Sequence, residues 1–128
     1  MRSLLVIALA GAFGTLSRYA VSGWSYRLFG PRFAYGTLIV NLVGCVLLGL
    51  VMQLGLSTDL VPPALRVPLG VGFLGAFTTF STFSYETLRY IEDGALVLAG
   101  LNVAVSVVGG LGAVWLGFVL ARLVVGGS

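Results

Sequence analysis

The sequence centres on one unusual stretch, GFLGAFTTFSTFSYE, which occupies residues 72–86. Five of the seven residues from Thr78 to Ser84 carry hydroxyl groups, and phenylalanines recur at Phe77, Phe80 and Phe83. A serine or threonine can bond back to its own helix, which would account for one or two of these hydroxyls. Five in so short a run predict a break in the helix, with freed backbone groups facing protein or water rather than lipid. The two glycines before the run favour such a break.

The composition around this stretch places the chain in a membrane. Of 128 residues, 59% are hydrophobic and only 9% are charged, whereas soluble domains carry about a quarter of their residues as charged side chains. Histidine is absent and the single Cys45 lies in an apolar run, so zinc, redox and general-base chemistry lack their usual side chains. We therefore expect no enzyme. The seven arginines are scattered rather than clustered, which argues against a nucleic-acid partner.

Four apolar stretches are long enough to cross about 30 Å of hydrocarbon. They cover approximately residues 4–24, 35–56, 65–90 and 95–125. The sequence thus predicts an all-α integral membrane protein of one domain, residues 1–128, with four transmembrane helices, the third of them broken. We expect it to be a multi-pass protein of the cell inner (plasma) membrane.

The arginines near the span ends divide evenly between the two sides of the membrane. One side has Arg2, Arg66 and Arg122, and the other has Arg27, Arg32 and Arg89. Positive residues normally favour the cytoplasmic side, so three against three gives no orientation signal. Either one strong helix decides the orientation, or the chain inserts both ways round and assembles as an antiparallel dual-topology homodimer.

Polar residues recur inside the other spans at helical spacing. Thr37 and Asn41 lie one turn apart in the second span, and Asn102 and Ser106 lie one turn apart in the fourth. An asparagine at such depth either bridges helices or donates its amide to an anion. Arg18 either extends to the interface or sits in a wet vestibule, where it raises the local anion concentration.

The phenylalanines interleaved with hydroxyls suggest what the polar residues do. On a helix, the three-residue spacing places the rings along one face, where simple packing against a neighbour is one explanation. The other uses the electropositive ring edge, which together with hydroxyl hydrogens forms a weakly positive, uncharged lining. Such a lining can replace water around a small anion without trapping it, as conduction requires.

Three motifs in order resemble the Fluc (CrcB) family of fluoride channels. They are GAFGTLSRY at residues 11–19, GTLIVNLVG at residues 36–44 and the opening stretch at residues 72–86. The resemblance covers essentially the whole chain and is most specific in TTFSTFS after GFLG. It departs from some relatives at Ala76, Asn102 and Gly110, where they carry glycine, tyrosine and serine.

The resemblance implies passive, fluoride-selective export through two pores of an antiparallel homodimer in the lipid bilayer. Phe80 and Phe83 match the family's ring-edge fluoride ligands, and Asn41 matches its pore asparagine. The backbone carbonyls of Gly75 and Thr78 match those that hold a structural Na⁺ at the dimer interface. The predicted fluoride pore comprises Thr37, Asn41, Thr79, Phe80, Ser81, Thr82, Phe83, Asn102 and Ser106, with Arg18 and Glu86 in its vestibule.

Two other functions compete with this prediction. A small dual-topology multidrug or cation exporter can share four helices, but it would need a carboxylate in the first span, and residues 1–24 contain none. A structural membrane protein would use its glycine and phenylalanine faces only for packing.

Overall fold

The computed structural model describes residues 2–126, which form helices joined by short connections. Among these residues, four segments are long and apolar enough to cross a membrane: Arg2–Phe29, Tyr35–Ser57, Pro63–Glu92 and Leu96–Val124. The prediction of an all-helical chain with four membrane-spanning segments is therefore confirmed. Three of the segments are single helices, namely α1 (Arg2–Phe29), α2 (Tyr35–Ser57) and α6 (Leu96–Val124).

The third segment is made of several pieces. It begins with α3 (Pro63–Val67), continues as a π-helical stretch (Pro68–Leu74) and ends its first half with the short α4 (Gly75–Phe77). Thr78 and Thr79 then take extended backbone conformations, with ψ angles of 160° and 116°, before α5 (Phe80–Glu92) begins. We call these two residues the extended pair.

Glycine sets two of the helix ends. α1 continues past Trp24, where the sequence predicted its end, and stops at Phe29 because Gly30 takes a φ of 85°. That left-handed conformation is open to glycine and ends a helix, and the Gly30 N–H bonds to the Tyr26 carbonyl at 2.9 Å. Gly94, with a φ of 77°, separates α5 from α6 in the same way.

Small residues bring the helices together, while large apolar residues point outwards. α2 packs mainly on α6, and a methyl group added at Gly117 would overlap the backbone of α2 at Val46 and Leu50. The π-helical stretch packs on α1, where Gly14 faces the carbonyl of Phe73. Lipid gives no hydrophobic drive for helix association, so close backbone contact at small residues has to supply the packing energy.

Candidate anion pathway

Helix α2 holds the extended pair from one side. The Asn41 side chain bonds to both backbone groups of Thr79: its Nδ2 donates to the Thr79 carbonyl at 3.1 Å, and its Oδ1 accepts from the Thr79 N–H at 2.8 Å. One turn later, the missing side chain of Gly44 leaves room for Thr78, whose methyl group a Cβ there would overlap. Asn41 therefore supplies the partners that a continuous helix would have given Thr79.

Helix α1 reaches the same region from another side. The Nε of Arg18 donates to the carbonyl of Ala76 at 3.0 Å, which places its charge at the C-terminal end of α4. A cation is favourable there, because the last carbonyls of a helix are unpaired and partly negative. No side chain among residues 2–126 donates to the neighbouring carbonyls of Gly75 and Thr78.

A cavity of about 340 Å³ lies beside the extended pair, and we call it the central cavity. Its lining includes Asn41, Thr78, Thr79, Phe80, Phe83 and Ser106. The remaining lining residues are glycines and apolar side chains together with Cys45. The cavity thus combines aromatic rings, hydroxyls and an amide without a charged side chain in its wall, and it includes five of the nine predicted pore residues, namely Asn41, Thr79, Phe80, Phe83 and Ser106.

The two phenylalanines of α5 lie side by side in this wall. Their ring centroids are 5.6 Å apart with planes tilted by 48°, and Phe80 is 78% exposed in the single chain. Phe77 differs from them: it is buried and stacks on Phe73 at 5.9 Å. The three-residue spacing predicted one shared face, but the extended pair separates Phe77 from the other two, so their helical register does not carry across.

The hydroxyls of Thr79, Ser81 and Thr82 lie within hydrogen-bonding distance of one another at the start of α5. The Thr79 side chain caps α5 by accepting from the Thr82 N–H at 3.2 Å, and its hydroxyl lies 3.1 Å from that of Thr82 and 3.2 Å from that of Ser81. This is an N-cap, in which a side-chain oxygen satisfies a free N–H of the first turn. The structure therefore brings these three predicted pore residues together at the start of α5.

Glu86 and Thr37 form a second cluster, two turns further along α5. The Thr37 hydroxyl donates to Oε1 of Glu86, and the Tyr26 hydroxyl donates to Oε2 at 2.7 Å. Thr37 is buried, so it faces this carboxylate rather than the central cavity. Together with the Asn41–Thr79 contact one turn away on α2, it makes a second polar link between α2 and α5.

The two predicted pore residues of α6 lie in different surroundings. Ser106 lines the central cavity, whereas Asn102 is buried and its Nδ2 donates to the Thr87 hydroxyl at 3.0 Å. That hydroxyl in turn donates to the carbonyl of Phe83 at 2.8 Å. Asn102 thus lies behind the phenylalanine helix and outside the lining of the central cavity, which the sequence had predicted it to share with Ser106.

Three residues near these clusters were not singled out from the sequence as site residues. Thr87 lies behind Phe83, and Cys45 lines the central cavity. A signal for Cys45 was available, because it lies one helical turn after Asn41. The third is Tyr26, whose contact with Glu86 joins residues 60 positions apart, which no local pattern encodes.

Comparison with known proteins gives the chain its family. The family described as "CrcB-like protein, Camphor Resistance (CrcB)" matches residues 5–118. Among similar proteins is one from Citrifermentans bemidjiense named "Fluoride-specific ion channel FluC", which is 52% identical over 95% of this chain and 98% of its own length. A protein of that name from Geotalea uraniireducens is 53% identical over the same shares of both chains.

A third relative of the same name, from Pelobacter propionicus, is 50% identical over 100% of this chain and 99% of its own length. The similarity therefore extends over the whole length of the chain. On the family match and these relatives, the chain belongs to the CrcB family.

Proposed function

We propose that the protein is a fluoride-selective channel that lets fluoride leave the cytoplasm by passive electrodiffusion across the bacterial cell membrane. Relatives about half identical over the whole chain are named as fluoride-specific ion channels. The observation that carries the proposal is the central cavity, where the Phe80 and Phe83 rings lie with Ser106 and the amide of Asn41. These groups offer weakly positive edges and hydrogen-bond donors, so a small anion can exchange its water for them and still leave.

The physical need for such a pore follows from the chemistry of a weak acid. Neutral hydrogen fluoride crosses lipid and then ionises in the cytoplasm, where the anion is trapped. A pore lets the anion leave down its gradient, and a negative interior adds about 2.3 kcal/mol per 100 mV for each charge. The process needs no nucleotide, redox group or proton carrier.

Fluoride efflux from proteoliposomes tests the function directly. Vesicles loaded with fluoride and held at a negative potential by a potassium gradient and valinomycin should release it faster with the protein than without it, as read by a fluoride electrode. Chloride-loaded vesicles are the selectivity control.

The rival function, cation or drug export, is tested by proton-driven uptake of ethidium. The absence of a carboxylate from α1 argues against this rival function. Ethidium uptake without fluoride release would overturn the proposal.

In the proposed channel, the third span works as a broken helix with the extended pair at mid-membrane depth. Thr79, Ser81, Thr82 and Ser106 form hydroxyl tracks beside the two phenylalanines, and Asn102 supports them from α6. Arg18 and Glu86 flank the entrance, where Thr37 bonds to Glu86. Support comes from the contacts of the extended pair, because Asn41 and Arg18 satisfy carbonyls that the interruption frees. Irregular backbone at membrane depth is tolerated where protein groups satisfy it in this way.

The proposed assembly is an antiparallel homodimer of two chains inserted in opposite orientations. The even division of the arginines supports it: Arg2 begins α1 and Arg122 lies in the last turn of α6, while Arg27 and Arg89 lie at the opposite helix ends. Adding two lysines to one set of loops should fix a single orientation and abolish efflux. Co-expression with the same chain carrying lysines in the other loops should restore it. Full activity of one fixed form alone would refute the antiparallel arrangement.

A structural Na⁺ at the dimer interface completes the proposal. The carbonyls of Gly75 and Thr78 fit this role, since oxygen ligands suit a hard cation and no side chain among the described residues donates to them. No cluster of His, Cys, Asp and Glu among those residues offers an alternative metal site. Two carbonyls from each chain would supply four ligands, and the ion would neutralise the helix ends that meet there. Replacing Na⁺ by N-methylglucamine during purification should lower thermal stability, and returning Na⁺ should restore it.

A further inference from the structure

The Glu86 carboxylate is tied to both α1 and α2 by hydroxyl groups. Tyr26 donates to one oxygen at 2.7 Å, and Thr37 donates to the other. Hydrogen bonds to an ionised acceptor are roughly twice as strong as neutral ones. Since Glu86 belongs to α5, the two bonds hold its side chain against the neighbouring helices at a fixed place.

The ring of Tyr26 packs against the backbone of α2 at Gly36. A methyl group added at Gly36 would overlap two ring carbons of Tyr26 and the hydroxyl of Ser22. Gly36 directly precedes Thr37, so the glycine that admits the ring and the threonine that shares the carboxylate are neighbours in α2. The Tyr26 hydroxyl is thus brought to Glu86 by packing on a buried backbone.

Tyr26 also lines two cavities. One, of about 690 Å³, is lined by Tyr26 with Arg18, Arg27 and other residues of α1. The other, of about 180 Å³, is lined by Tyr26 with Glu86, Arg89 and loop residues. The tyrosine therefore borders both a cavity with two arginines and the smaller cavity, which contains the carboxylate together with Arg89.

We propose that Tyr26 is a positioning residue for anion throughput, because its hydroxyl fixes the negative charge of Glu86 in one place beside the entrance of the proposed channel. The inference rests on the proposed channel function. An anion passing a carboxylate is repelled, and the repulsion grows as the two charges approach and as the surroundings become less polar. Without the Tyr26 hydroxyl, one carboxylate oxygen loses its partner, and the side chain can turn and bring its charge closer to an anion at the entrance.

The test is Tyr26→Phe, which keeps the ring in its place at Gly36 and removes only the hydroxyl. Efflux per channel should fall roughly tenfold, the factor that corresponds to the loss of one hydrogen bond to a charged group. In a Glu86→Gln background, the same change should have little effect. Glutamine still accepts the tyrosine hydrogen bond but carries no charge. Tyr19→Phe is the control, because Tyr19 lines the larger cavity and is 83% exposed.

The outcomes decide whether the Tyr26 hydroxyl positions the charge of Glu86 or only supports the structure. If Tyr26→Phe slows efflux equally with Glu86 and with glutamine, the hydroxyl only supports the structure and the inference is overturned. An unchanged rate in Tyr26→Phe overturns it as well. If this variant does not fold, Thr37→Val in both backgrounds repeats the test on the other oxygen, with the same dependence on charge expected. A wild-type protein that releases no fluoride overturns the channel function itself, and a conducting wild type keeps the two failures distinct.

Discussion

Replacing Asn41 by leucine tests whether its amide holds the third span together. The two side chains are similar in size, so the change removes polar partners without opening a cavity. Asn41 bonds to the N–H and to the carbonyl of Thr79. Both groups would be left without partners, at about 1–3 kcal/mol for each fully buried group. Because these bonds are only partly buried, we expect a total loss of about 2–4 kcal/mol in the free energy of unfolding.

Asn102→Leu provides a matched control for this change. Asn102 is the more deeply buried of the two asparagines, at 1% exposure, but its amide is found with one partner, the hydroxyl of Thr87. That hydroxyl keeps its own bond to the carbonyl of Phe83 when the amide is gone. The expected loss is therefore about 1 kcal/mol, the net value of one ordinary hydrogen bond.

The assay is unfolding of both variants by SDS in dodecyl maltoside micelles, followed by circular dichroism, with fluoride efflux measured in parallel. Asn41→Leu should be the less stable variant by at least 1 kcal/mol, and it should conduct poorly even where it is folded. Equal stability of the two variants, or a greater loss in Asn102→Leu, would refute the role given to Asn41. The loss of unfolding free energy would then depend on burial alone and not on the contacts with the Thr79 backbone.

Two further predictions concern the ring edges and the helix contacts. Phe80→Ile or Phe83→Ile should slow fluoride efflux steeply and leave the elution volume of the assembly unchanged, because an aliphatic side chain has no electropositive edge; unchanged flux would remove the ring-edge argument. Gly117→Ala should destabilise the protein by about 1–3 kcal/mol in the same SDS titration, because its methyl group meets the backbone of α2. Gly112→Ala in the same helix meets nothing within 4 Å and should be neutral or slightly stabilising, so equal effects would contradict the structure.

The sequence was most informative where a physical rule acts locally. Apolar runs of the right length predicted four spans, and the described residues contain four segments of that kind. The crowding of hydroxyls from Thr78 to Ser84 drew attention to the region where Thr78 and Thr79 take extended conformations. These features depend on composition and spacing along the chain, which can be read without knowing how the helices pack.

Partners across the bundle could not be predicted in the same way. The spacing of Thr37 and Asn41 suggested one polar track, yet Thr37 bonds to Glu86 and Asn41 to the backbone of Thr79. Likewise, Arg18 lies 58 positions before the carbonyl that it contacts. Which group a polar side chain meets depends on the rotation and depth of each helix, and those are set by glycine contacts such as Gly44 with Thr78.

The contacts that hold the extended pair have a consequence for how the protein is made. Asn41 and Gly44 belong to the same chain as Thr78 and Thr79, so both backbone groups of Thr79 find partners within a single chain. A newly inserted chain can therefore hold the backbone of Thr79 in place by itself, whichever way round it entered the bilayer. In the proposed homodimer, the free-energy cost of association would then not include ordering the backbone of Thr79.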